Sequence, residues 1–356
     1  MTNFLNSEPV DIILEKAVAG ERITPDEALN VYNSADFLKV MAAARAVRGK
    51  INDPAVATYT LFRIVNYTNV CSMACSFCGF HCPSGNAAGY VLTIEKIFAK
   101  MRTAVAAGAR QLFFQGGVNP DIPFDYYLNV LRGVKEEFGA DIHIRAFSPG
   151  EIHGMELRTG KTAREIIREL KTTGMDSMPG AGAEILSDRV RSILSPKKIS
   201  VTNWLRVMEA CFEEGLHASA NIVIGTVETG EEIIEHLRVV RELQDRTGGL
   251  LAFIPWIFQK QTSNFPIRHV PVREYLKLLG LCRLFFDNIP HIEASVLGMG
   301  RAVGELALHA GADDISSVVF EENVLTSYGL STEAEARDFI KNSGYIPVKR
   351  NLSYDF

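Results

Sequence analysis

The chain has 356 residues, of which 47% are hydrophobic and 22% charged, and its net charge is −5. This is the composition of an ordinary folded globule. The acidic balance argues against a nucleic-acid surface, and no apolar run reaches the roughly 18 residues needed for a membrane span.

The opening Met1-Thr2-Asn3-Phe4-Leu5 lacks the basic-then-apolar order of a secretion signal. The six cysteines are therefore expected as free thiols in a reducing cytoplasm. The length fits two domains or one α/β barrel.

Residues 1–57 read as a helical extension. Pro9 to Ala19 is periodic, and Thr24-Pro25-Asp26-Glu27 places Thr24 as an N-cap with Glu27 completing a capping box. Asp36 opens a third helix. From residue 58 to 330, strands alternate with helices, which implies a parallel sheet. The strands are expected at 59–66, 111–115, 141–147, 176–178, 217–224, 251–258, 291–295 and 314–319. Eight such units predict a TIM-type (β/α)8 barrel, with function on the loops after the strand ends. The rival is an incomplete barrel of six strands plus extra C-terminal elements. Residues 331–356 give one helix and a polar tail packed on the barrel.

The first strand leads into Asn66-Tyr67-Thr68-Asn69-Val70-Cys71-Ser72-Met73-Ala74-Cys75-Ser76-Phe77-Cys78-Gly79-Phe80-His81-Cys82-Pro83. The spacing Cys-x3-Cys-x2-Cys puts three soft ligands on one short loop, which suits an iron–sulfur cluster. Three thiolates hold three irons of a [4Fe-4S] cube and leave the fourth open to a ligand from outside the protein. Cys82 is read as a neighbour; as a fourth ligand it would close the site, as in a zinc centre. Cys211 and Cys282 lie in apolar helical patterns and read as core.

Other strand ends carry chemistry of their own. Gln115-Gly116-Gly117 follows the second strand, where paired glycines let the backbone approach a ligand. Arg145, Ser148 and Glu151 follow the third. There Arg145 either clamps a substrate carboxylate through two parallel hydrogen bonds or pairs with Glu151. Ser177, a glycine-rich turn and Glu184 follow the fourth, with Glu184 expected to open the next helix. Ile224, Gly225 and Glu228 end the fifth, with Glu228 expected to cap the following helix. Trp256 and Gln259 end the sixth and suit an aromatic or sugar-bearing substrate. Glu321, Glu322 and Asn323 end the eighth; of these Glu322 is a candidate base.

The cysteine loop resembles the signature of radical S-adenosylmethionine (SAM) enzymes, in which SAM chelates the open iron and is cleaved to a 5′-deoxyadenosyl radical. The fifth strand is similar to their Gly-x-Ile-x-Gly-x-x-Glu pattern, with Ala220 taken as its first position. The resemblance implies SAM contacts from Phe77, Gly79, Gln115, Gly116, Gly117, Ser177, Glu184, Ile224 and Gly225, and cluster ligation by Cys71, Cys75 and Cys78. Phe114 to Pro120, Pro179 to Leu186, Ser195-Pro196-Lys197-Lys198 and Phe253-Ile254-Pro255-Trp256 narrow it further. They resemble the aminofutalosine synthase, cyclic dehypoxanthinyl futalosine synthase and F0 synthase families, and the second of these most nearly. That resemblance implies a nucleoside–benzoate substrate and carbon–carbon bond formation in menaquinone biosynthesis. Arg145, Ser148, Trp256 and Gln259 would contact the substrate, and a flavodoxin or ferredoxin would deliver the low-potential electron. Ala181, Ile257 and Lys260 depart from the family pattern near the substrate mouth.

Overall fold

The computed structural model describes residues 9–259, 265–319, 330 and 332–354. Three helices precede the sheet: α1 (Val10–Ala19), α2 (Pro25–Asn33) and α3 (Phe37–Ile51). The capping box read at Thr24 forms as expected: its hydroxyl accepts from Glu27 N–H, and the Glu27 carboxylate accepts from Thr24 N–H. Such a cap stabilises a helix by about 1 kcal/mol.

The strands are β1 (Val56–Val65), β2 (Gln111–Phe114), β3 (His143–Ala146), β4 (Ser177–Met178), β5 (His217–Ile224), β6 (Leu250–Ile257), β7 (His291–Ile292), β8 (Asp314–Val319) and β9 (Ile346–Lys349). Between β1 and β5 lie α4 (Ile94–Ala106), α5 (Phe124–Phe138), α6 (Pro149–Thr159), α7 (Ala163–Thr173), α8 (Asp188–Leu194) and α9 (Val201–Glu213). After β5 come α10 (Gly230–Thr247), α11 (Val272–Phe285), α12 (Val296–Met299), α13 (Arg301–His309) and α14 (Glu333–Asn342).

All strand pairs are parallel, in the order β7-β6-β5-β4-β3-β2-β1-β8. β7 and β8 meet at a single bridge, Glu293 with Asp314, flanked by Ala294 N–H to Asp314 O and Asp313 N–H to Ile292 O. The eight-strand barrel is thus nearly closed. Alternation sorts the side chains. On β5, Ala218, Ala220, Ile222 and Ile224 are buried in the core between sheet and helices, whereas Asn221 and Val223 are half-exposed on the other face.

The barrel interior is polar and is floored by the C-terminal segment. β9, which the sequence reading passed over, pairs with the first half of β1 from Val56 to Tyr59. The chain then turns under the barrel. Arg350 grips the Asp314 carboxylate through two nitrogens and reaches Glu293 at 3.3 Å. The Tyr354 hydroxyl donates to Glu293, and its ring stacks on His291 at 3.9 Å.

Candidate active site

The cysteine loop is pinned at its neck by a β-bridge between Val70 and Cys82, with Cys71 N–H donating to Cys82 O and Cys82 N–H to Asn69 O. The Cys82 side chain is buried against Gly89. Cys71, Cys75 and Cys78 are half-buried.

The electrostatics tie these three thiols together. Burial pushes the Cys75 thiol up to about 11; Lys198 opposes the rise, while Cys71 and Cys78 add to it. Burial also raises Cys78, against the pull of the Phe80 and His81 backbone. Val118 N–H donates to the Cys71 sulfur at 3.3 Å.

Among the described residues, no three His, Cys, Asp or Glu side chains already stand at metal-holding spacing. The fit to a cluster therefore rests on the donor set: soft sulfurs, amide groups aimed at them, and the Lys198 cation beside them. A cluster's metal charge would favour the thiolates that burial alone disfavours.

The glycines after β2 allow a close backbone approach, and it is to the cysteine loop itself. A Cβ on Gly117 would lie 2.2 Å from Val70 O and 2.8 Å from the Cys71 Cβ; one on Gly116 would lie 2.8 Å from the Tyr67 ring. Gly116 N–H donates to Glu151, and Gly117 N–H donates to Thr68 O. With both amides engaged, what this turn can offer a cationic amino group is carbonyl oxygen.

Glu151 does not pair with Arg145. It accepts from the Tyr67 hydroxyl at 2.7 Å, from Gly116 N–H at 3.0 Å and from the Ser148 N–H and hydroxyl. Ser148 is the N-cap of α6 in a full capping box, signalled by Ser-Pro-Gly-Glu.

Arg145 faces the barrel interior and is almost fully buried. Its hydrogen bonds are long: Nε to Ser177 Oγ at 3.5 Å and one terminal nitrogen to Leu352 O at 3.4 Å. Burial pulls its pKa down, with Glu293 opposing. Ser177 also contacts His143 Nε2 at 2.8 Å, so it sits in this interior layer.

Glu184 has a left-handed backbone (φ 37°) and pairs with Lys198. It does not open a helix: α8 begins at Asp188, capped by Ser187. Lys198 also lies 5.5 Å over the Phe77 ring, which packs edge-on against Phe258. Gly79 is exposed on the loop. The Ile224 side chain points into the outer core.

Gly225 (φ 113°) leaves room for Val270 and the Arg268 carbonyl, and its N–H donates to Glu228. Glu228 thus ties its own loop, while Thr229 and Glu232 cap α10. Counting back from Gly225 and Glu228, the first position of the five-residue glycine pattern is Asn221 and not Ala220. Trp256 lies beside Val223 in register, and the Gln259 amide donates to Gly298 O at 3.1 Å. Glu322 and Lys260 lie outside the described residues. Tyr67, Lys198 and Asn221 were given no role from sequence; Glu151 was read as a possible partner of Arg145, and the signal for the role it has was its capping box.

Known proteins give the same picture. A model described as the radical SAM superfamily matches residues 65–240, and one described as the CofH/MqnC C-terminal region matches 247–356. A cyclic dehypoxanthine futalosine synthase of Halalkalibacterium halodurans is 39% identical over 97% of this chain and 94% of its own. One of Streptomyces coelicolor is 39% identical over 96% of this chain and 88% of its own. Among solved structures, the [FeFe]-hydrogenase maturase HydG superposes with a TM-score of 0.77 at 18% identity, covering 97% of this chain and 76% of that one. The chain belongs to the radical SAM superfamily and, within it, to the cyclic dehypoxanthine futalosine synthase family.

Proposed function

We propose that this protein cyclises dehypoxanthine futalosine, a ribose joined to a 3-substituted benzoate, into cyclic dehypoxanthinyl futalosine on the futalosine route to menaquinone. The observation that carries the reading is near full-length kinship with relatives bearing that name. When bound, the [4Fe-4S] cluster and SAM would supply a 5′-deoxyadenosyl radical to take hydrogen from the ribose C4′, and the cluster would take back one electron at the end; the sugar carbon would bond to the aromatic ring, and loss of one proton and that electron from the ring would restore a closed-shell product.

The chain's own residues then have defined tasks. Cys71, Cys75 and Cys78 hold the cluster, and Lys198 moderates the charge of that loop. Gln115, Gly116 and Gly117 border SAM from β2; Phe77, Gly79, Glu184 and Gly225 border it from the other loops. Ser177 acts through its bond to Arg145, and Ile224 through its backbone.

Arg145 holds the substrate carboxylate. A nearly buried guanidinium on two long hydrogen bonds, with Glu293 engaged by Arg350 and Tyr354, is suited to accept a carboxylate in a two-point contact. Ser148 is engaged in its helix cap, whereas Trp256 and Gln259 stand at the mouth against the aromatic end. The electron comes from a flavodoxin or ferredoxin, and the reaction runs in the cytoplasm.

The test is anaerobic. Reconstituted, reduced protein is given SAM and dehypoxanthine futalosine, and the nucleoside products are identified by mass. Equal amounts of 5′-deoxyadenosine and cyclised product are expected. Turnover only of an enolpyruvyl benzoate, or only of tyrosine with a flavin precursor, would move the chain to the aminofutalosine or F0 synthase activity.

A further inference from the structure

We propose that Asn221 reads a hydroxyl of the substrate's ribose and so sets which sugar C–H faces the radical. The inference rests on the nucleoside–benzoate reading above and names the residue that handles the sugar. Asn221 lies on the β5 face opposite Ala220 and Ile222, which are fully buried in the outer core, so its side chain points into the barrel.

Its side-chain oxygen is buried with no hydrogen-bond partner among the described residues. A buried amide oxygen without a donor is costly, on the order of 1–3 kcal/mol, unless a ligand satisfies it. A hydroxyl is the natural complement, because it can both donate and accept and therefore suits either orientation of the amide.

Depth separates substrate from SAM. Asn221 stands three residues before the end of β5, about 10 Å below the strand end at roughly 3.3 Å per residue. The cysteine loop and the Gly116–Gly117 turn that border SAM lie at or beyond the strand ends. Arg145, the carboxylate holder, is level with Ser177 in the same interior. The two side chains thus offer one grip for the acid end and one for the sugar, from β3 and β5.

Asn221→Leu removes the polar atoms at nearly constant size, and Asn221→Asp keeps an acceptor. Cluster content and thermal stability are checked first, and then KM for substrate and for SAM, the ratio of 5′-deoxyadenosine to cyclised product, and the melting-temperature rise that substrate gives the unreduced holoenzyme. We expect Asn221→Leu to raise the substrate KM about tenfold, to form 5′-deoxyadenosine in excess of product and to lose the substrate-induced rise, with KM for SAM unchanged. Asn221→Asp should keep most of the binding.

An Asn221→Leu enzyme with wild-type substrate KM and coupling overturns the assignment, as does a defect confined to SAM or an equal loss in both variants. Wild-type protein that neither converts nor is stabilised by this substrate overturns the substrate reading instead, and the sugar assignment falls with it.

Discussion

Glu151 holds Gly116: its Oε1 accepts the Gly116 amide at 3.0 Å while also accepting the Tyr67 hydroxyl at 2.7 Å. One buried carboxylate therefore joins the strand leading into the cysteine loop, the glycine turn packed on that loop, and the cap of α6. A Gln at 151 offers one oxygen where the carboxylate offers two, so at least one of four donors is left without an acceptor. Glu151→Gln is expected to cost about 1–3 kcal/mol and to lower cluster retention. Tyr67→Phe, which removes a single donor, should cost about 1 kcal/mol. Denaturant titration and iron analysis check both.

Replacing Cys71, Cys75 or Cys78 by Ala should each abolish cluster assembly, read as iron and sulfide content and visible absorbance. Cys82→Ala should keep the cluster, because Cys82 supplies backbone bonds at the loop's neck and a side chain buried against Gly89. Its cost should be a small cavity, about 1–2 kcal/mol. A cluster lost in Cys82→Ala would mean four-cysteine ligation.

Gly117→Ala should displace the cysteine loop, since the new methyl would sit 2.2 Å from a backbone oxygen that cannot swing aside. We expect reduced iron loading with the barrel still folded, seen as near-normal circular dichroism at a lower iron-to-protein ratio.

Arg350→Met should leave Asp314 and Glu293 buried without their cation, at a cost of roughly 3–5 kcal/mol. A doubly neutral variant, Asp314→Asn with Arg350→Met, should recover part of it, and thermal unfolding of wild type, both single variants and the double variant measures the coupling.

His236 gives the pH dependence. It is fully buried in α10, and its Nδ1 accepts from Leu186 N–H at 3.1 Å. Burial, then the Arg191 charge, lowers its pKa from 6.5 to about 3. The folded state therefore resists protonation. Its contribution is full above pH 6.5 and is lost as pH falls toward 3, up to about 5 kcal/mol in all. His236→Gln keeps an acceptor without titrating, so its stability should fall less than wild type between pH 6.5 and 4. Parallel curves for the two proteins would refute this.

Much of the fold was legible because its signals are local. β5 runs over the same residues as its period-two pattern, and the α2 cap follows from four letters. The cysteine spacing fixed the loop that matters most. β9 was missed because four residues including Pro347 carry too little pattern to name an edge strand. The surroundings of Arg145 could not be read at all: its contact at Leu352 is 207 residues away, and nothing near Arg145 announces it. Asn221 was hidden for the opposite reason, since a polar residue in an apolar strand looks like noise until its partnerless oxygen is seen in the barrel.

The pairing of β1 with β9 also sets a clock on biosynthesis. Val56 waits for Ile346, which is 290 residues further along the chain. At 5–20 residues per second a ribosome needs roughly 15–60 s to deliver that partner. Through that interval the first strand has an open flank, and the cysteines at 71, 75 and 78 are already synthesised. Such long-range closure folds slowly and exposes strand edges to aggregation. Low temperature, slow induction and chaperone supply during expression should therefore raise the yield of folded protein more than any surface substitution.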